Sequence, residues 1–143
     1  MAVLEPSQIR LSGTARTKED AIAEASAILV GAGAVTAEYH DFMLQREATV
    51  STYMGNLLAI PHGTNESKGA ILASALSFVR YPTPIDWDGN PVHFVVGIAG
   101  IQNEHLEILS RIAIILSDED QVQELRDAED AAAIFALLGD VNE

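Results

Sequence analysis

Leu57-Leu58-Ala59-Ile60-Pro61-His62-Gly63-Thr64 is an apolar, strand-like run that stops at an imidazole held between a proline and a glycine. Four apolar residues of this kind read as a short buried strand. Pro61 cannot continue a central ladder because it has no amide hydrogen to donate, and Gly63 lets the backbone turn sharply behind the side chain. His62 is therefore expected at a strand's end, where open α/β sheets tend to place their sites. Neutral imidazole, with an unperturbed pKa of about 6.5, is also a competent nucleophile near neutral pH. The plainer alternative for a histidine in such a turn is a hydrogen-bonded loop residue.

Upstream of this run, Thr17 reads as the N-cap of an amphipathic helix whose apolar residues Ile22, Ala25, Ile28 and Leu29 recur at helical spacing until Gly31 and Gly33. A second helix is expected from near Thr36, with Tyr39, Phe42, Met43 and Arg46 three or four apart, fading into the β-favouring stretch Ala48 to Tyr53. Arg46 then lies in its last turn, where a cation pairs favourably with the helix C-terminus. Downstream, Thr64 is a candidate cap for a turn of helix through Lys68, and Ile71 to Tyr81 reads as a strand ended by Pro82 and Pro84. Ile85 to Trp87 suggests a short strand, Asp88-Gly89-Asn90 a turn, and Val92 to Ala99 a β-branched central strand with His93 as a packing residue. Asn103 is a plausible N-cap for a helix with the core face Leu106, Ile108, Leu109, Ile112, Ile115 and Leu116. His105 falls in its first turn, where the positive end of the helix dipole favours an anion and a neutral ring. Acidic residues at 118–120 and 127–130 start two short terminal helices, the last burying Ile134, Phe135, Leu137 and Leu138. Alternating helices and short strands argue for an α/β protein, a three-layer α/β/α sandwich whose strands need not all run parallel.

The length of 143 residues is about that of one domain, expected over 1–143, and folding buries on the order of 70% of the unfolded surface at this size. Cysteine is absent, which removes disulfides and thiolate metal sites. The first residues lack the basic and apolar blocks of a secretory signal, and no apolar run approaches the roughly 20 residues of a membrane span, so a cytoplasmic location is expected. Met1 and a last helix ending by Gly139 favour a free-standing chain. With 8 Lys and Arg against 21 Asp and Glu, the net charge of −13 repels nucleic-acid phosphates and anionic lipid and suits a basic protein partner. Any phosphate-handling cation must come from those eight residues, Arg46 and Lys68 among them.

Gly55 to Thr64 closely resembles the phosphorylation-site segment of the enzyme IIA components of the sugar phosphotransferase system, the mannitol/fructose type fitting best. Met43-Leu44-Gln45-Arg46-Glu47 and Gly97 to Leu106 agree with that family in order and spacing, so the resemblance spans nearly the whole chain. It implies a mixed sheet of about five strands covered by helices on both faces. It also implies a phosphohistidine at His62 Nε2, loaded from phosphorylated HPr and unloaded onto an enzyme IIB domain of a sugar permease, mannitol being the nearest match. Arg46 would hold the phosphoryl oxygens and His105 would lie beside His62 and hydrogen-bond them. The surrounding surface is expected to be a shallow, mostly apolar ring that accepts two partners in turn.

No cofactor or metal is expected: the chain lacks a Walker loop, clustered carboxylates suited to Mg²⁺ and an HExxH spacing. Two rivals remain open. One is a regulatory, nitrogen-type enzyme IIA that signals by its phosphorylation state; the other, of a different class, is a hydrolase using His62 and His105 as metal ligands or as base and acid.

Overall fold

The apolar run that ends at His62 forms an inner strand of a mixed five-stranded sheet in the computed structural model, which describes residues 3–142. Met1, on which the free-standing expectation partly rests, lies outside the described residues. The strands are β1 (Ile9–Arg10), β2 (Tyr53–Gly55), β3 (Leu58–Ala59), β4 (Ala75–Trp87) and β5 (Asn90–Ala99), in the spatial order β1-β4-β5-β3-β2. β4 and β5 form a long antiparallel hairpin, β3 joins β5 in parallel, β1 joins β4 in parallel, and β2 closes the other edge antiparallel to β3.

Helices cover both faces, giving the expected three layers. Along β5, Phe94, Val96 and Ile98 enter one core and Val95 and Ala99 the other, so the strand is apolar almost throughout because neither face meets water. Against the first face pack α3 (Glu104–Ile115), α4 (Glu119–Asp127) and α5 (Ala131–Leu137), through Ile108, Ile112, Leu125 and Ile134. Against the second pack α1 (Lys18–Gly31) and α2 (Tyr39–Thr49), through Ile22, Leu29, Tyr39 and Met43. Each such fully buried side chain contributes roughly 1.5–3 kcal/mol by leaving water.

Three helices start at the side-chain caps that the local sequence predicts. Thr17 accepts from the Asp20 amide, Asp118 from Asp120 and Asp130 from Ala133. The Asp88-Gly89 turn also forms as expected, with both residues at positive φ (55° and 94°), the mirror-image turn that matches strand twist.

Four expectations are corrected. The strand expected at Ile71–Tyr81 begins at Ala75 and runs straight through Pro82 and Pro84 to Trp87, absorbing the separate strand expected at Ile85. The prolines are tolerated because β1 covers only Phe78 and Val79, and the β4–β5 register shifts between Arg80 and Ile85, so no ladder bond is asked of either. α2 starts at Tyr39 rather than near Thr36. Asn103 and Thr64 occupy N-cap positions, but neither side chain caps its helix; Asn103 is itself in helical conformation, and the Thr64 turn is a 3₁₀ helix, Asn65–Ala70. Leu106 is not core: it is 65% exposed, and Ile108, Ile112 and Ile115 face inward instead.

A buried carboxylate ties α2 to the hairpin. Glu47 accepts from Trp87 Nε1 (2.9 Å), the Thr52 amide (2.6 Å) and the Thr52 hydroxyl (2.8 Å). Glu47→Ala strands two buried N–H donors and should cost about 3 kcal/mol, with Glu47→Gln losing less. Urea unfolding followed through the fluorescence of Trp87, the sole tryptophan, measures this.

Candidate active site

β3 and β5 run parallel, and their pairing continues one step past the strand: the Ile98 amide donates to the Pro61 carbonyl (3.1 Å) and His62 bridges Ile98. His62 thus sits at a strand's end, as its sequence context requires. Its Nδ1 lies 2.8 Å from the Ile60 carbonyl oxygen. A carbonyl can only accept, so Nδ1 carries the hydrogen and the lone pair of the neutral ring resides on Nε2.

A tyrosine clasps the turn. The Tyr39 hydroxyl donates to the Ile98 carbonyl (2.7 Å) and accepts from the Gly63 amide (2.9 Å), fastening the backbone on both sides of His62 to the end of β5. Burial pushes the phenol up to about 12, so it remains a donor at any physiological pH. Gly63 makes room for it: a Cβ there would lie 2.6 Å from the tyrosine ring.

β5 also delivers the second histidine. Beyond Ala99 the chain turns at Gly100, where a Cβ would stand 2.4 Å from the His105 Cα, so only glycine lets the first turn of α3 come this close. Ser74 anchors that loop by accepting from the Ile101 amide (2.9 Å) and donating to the Glu104 carboxylate (2.5 Å). The rings of His62 and His105 lie 4.9 Å apart, centroid to centroid, at 53°. Arg46, in the last turn of α2, donates through Nη1 to the Val50 carbonyl (2.7 Å) and lines the same cleft, of about 710 Å³, as both histidines.

The electrostatics favour neutral rings. Burial is the main cause that holds His62 below the usual histidine range, with the Arg46 charge adding to it against the opposing Ile60 hydrogen bond. His105 is held down by burial first, then by His62 and Arg46. Both imidazoles are accordingly uncharged at neutral pH beside a permanent cation.

All three residues singled out from the sequence therefore meet at one cleft. His93 does not join them; its Nδ1 lies 2.6 Å from the Tyr81 carbonyl on another part of the surface, a packing role as expected. The cleft itself has a mixed lining, with Asn65, Glu66, Lys68, Gln102 and Asn103 beside the apolar Leu106 and Ile71. Sequence reasoning missed Tyr39 as a site residue, along with Ser74 and Gly100. Tyr39 meets Gly63 and Ile98 across 24 and 59 residues, a distance over which spacing carries no signal. Among the described residues no group of three or more His, Cys, Asp or Glu is placed to hold a metal ion.

The profile of the phosphoenolpyruvate-dependent sugar phosphotransferase system EIIA 2 family matches residues 2–141. The chain belongs to that family. As an enzyme IIA it is a phosphotransferase, and its relatives agree over full length. It is 47% identical to the mannitol-specific phosphotransferase enzyme IIA component of Halalkalibacterium halodurans over 99% of this chain and 97% of the relative. The corresponding component of Bacillus subtilis is 43% identical over 99% of this chain and all of its own. Among solved structures, the enzyme IIA chain in the Escherichia coli complex of mannitol enzyme IIA and phosphorylated enzyme IIB superimposes with a TM-score of 0.90 at 33% identity, covering 96% of this chain and 97% of that one. The nitrogen regulatory protein IIA-Ntr of Neisseria meningitidis gives 0.83 at 27% identity, covering 95% and 96%.

For this enzyme IIA, NMR titration of the ring protons should give midpoints below 6.5 for both His62 and His105, and Arg46→Gln should move both upward by removing the cation that opposes protonation. Because the folded values lie below the unfolded one, the unfolded chain binds protons first. The two rings therefore add no pH dependence above 6.5 and lower stability as pH falls from there to their folded midpoints.

Proposed function

We propose that this enzyme IIA accepts a phosphoryl group on His62 Nε2 from phosphorylated HPr and passes it to an enzyme IIB, in a mannitol uptake system. The observation that carries this reading is the Nδ1 contact with the Ile60 carbonyl, which leaves Nε2 as the lone-pair nitrogen, in a cleft shared with His105 and Arg46. The chain acts as one IIA domain in the cytoplasm and meets the membrane only through the permease.

The transfer balances without a proton moving. The Nε2 lone pair of His62 forms a bond to phosphorus while the bond from phosphorus to the donor's ring nitrogen breaks and its electron pair returns to that nitrogen. The hydrogen stays on Nδ1, donated to the Ile60 carbonyl, throughout. What the protein supplies is position and donors for the equatorial oxygens of a loose transition state. Arg46 suits this because Val50 anchors one donor of a planar, permanently charged fork and leaves the others for the phosphoryl group. His105, with no partner of its own among the described residues, presents a ring nitrogen as a further donor.

Two facts favour the transport role over the regulatory one. The mannitol-specific relatives match at 43–47% identity over full length, and the E. coli mannitol IIA structure superimposes more closely than the nitrogen regulatory protein does, 0.90 against 0.83.

Incubation with phosphoenolpyruvate, enzyme I and HPr should deposit an acid-labile, base-stable phosphate that is lost in His62→Ala. Arg46→Gln should slow loading by about 100-fold, the usual cost of removing one preorganised donor. Onward transfer to a mannitol enzyme IIB separates the two roles: a carrier empties onto it within the assay, whereas a regulatory protein stays phosphorylated.

A further inference from the structure

Three buried side-chain atoms among the described residues have no hydrogen-bond partner: His40 Nε2, Thr64 Oγ1 and Gln121 Oε1. Only Thr64 belongs to the cleft that holds His62. It follows His62 by two residues and stands where a threonine hydroxyl ordinarily caps the next helical turn. Thr17 shows the ordinary behaviour in this same chain, its hydroxyl accepting from Asp20 at 3.1 Å. Thr64 does not: its backbone is extended like that of Thr17 (φ −77°, ψ 172°), yet its hydroxyl makes no capping hydrogen bond.

The turn itself is not loose. Ser67, buried beneath it, donates to the Thr64 carbonyl, and the Gly63 amide is held by Tyr39. A hydroxyl left unpaired in so constrained a place is a standing penalty, and such groups call for an explanation in what the protein does.

We propose that the Thr64 hydroxyl is a phosphoryl ligand: with phosphate on His62 Nε2, rotation about its Cα–Cβ bond lets it donate to a phosphoryl oxygen. This rests on the reading of His62 as the phosphoacceptor. The chemistry is matched, because phosphoryl oxygens accept and a hydroxyl hydrogen is free to turn toward them. A threonine has three staggered positions, so one bond rotation separates the two states. Arg46 from α2, His105 from α3 and Thr64 from the turn after β3 come to this one cleft from three separate elements. An interaction made only when the phosphoryl group is present lowers the energy of the loaded form and the transition state without stabilising the unloaded one. The idle hydroxyl is the signature of that difference.

The test compares wild type with Thr64→Val, which keeps the branched shape and removes the hydroxyl, and Thr64→Ser, which keeps the hydroxyl. Each is loaded both from phosphorylated HPr and with phosphoramidate, a small chemical donor that needs no docking partner. Without phosphate, Thr64→Val should melt at or above the wild-type temperature. Its exchange equilibrium with phosphorylated HPr should shift about tenfold against the loaded form, the scale of one hydrogen bond to a charged group. The rise in Tm on phosphoramidate loading should shrink in the valine variant and persist in the serine variant. A valine variant that loads like wild type overturns the inference, as does one that melts well below wild type before loading, since its hydroxyl would then have been engaged already. Wild type that takes no phosphate on His62 from either donor overturns the phosphoacceptor reading along with it, and so is told apart from a failure at Thr64 alone.

Discussion

The main chain at Ile98 is the pivot on which the molecule turns. Its amide holds the Pro61 carbonyl, its carbonyl holds the Tyr39 hydroxyl, and its side chain is sealed in the core beneath α3. Two residues later, Gly100 admits the first turn of that helix. The nucleophile candidate, the clasp that fixes its turn and the loop bearing the second histidine are thus all referred to the end of one strand. Because β5 pairs on both sides and is buried on both faces, that end is among the least movable points in the fold. A site that must match donor and acceptor geometry within fractions of an ångström is well placed on such a support.

Much of the architecture was legible because local physics and global packing agree. The run before His62, the apolar β5 and the capped starts of α1, α4 and α5 each announce themselves within ten residues or so. What stayed hidden was set by partners distant in sequence. The open edge that tolerates Pro82 and Pro84 exists because β1 is only two residues long, a fact no window around the prolines contains. Leu106 follows the helical period of its neighbours yet faces outward, because α3 meets the sheet through Ile108, Ile112 and Ile115 and the chain before it enters from the cleft. The site divides the same way. His62, Arg46 and His105 were named from motif resemblance and residue chemistry, whereas Tyr39, Ser74 and Gly100 act by contacts that only the fold creates.

The charge distribution reconciles an acidic protein with an anionic task. A net charge of −13 repels phosphate at long range, where salt screens it beyond about 8–10 Å. Within the cleft, two uncharged imidazoles stand among the fixed charges of Arg46, Lys68 and Glu66, and the nearby Glu104 carboxylate accepts from Ser74. The short-range term governs what happens at Nε2, and the long-range one governs who approaches.

The partner chosen for His62 Nδ1 sets how tightly a phosphoryl group would be kept. A carboxylate in that position would enrich the ring's electron density and raise its basicity, making the phosphorylated nitrogen a sluggish leaving group. A neutral main-chain carbonyl orients the ring with far less of that effect. A phosphoramidate formed on Nε2 would then keep a group-transfer potential close to that of an ordinary phosphoimidazole, and its exchange with another phosphohistidine would be nearly balanced.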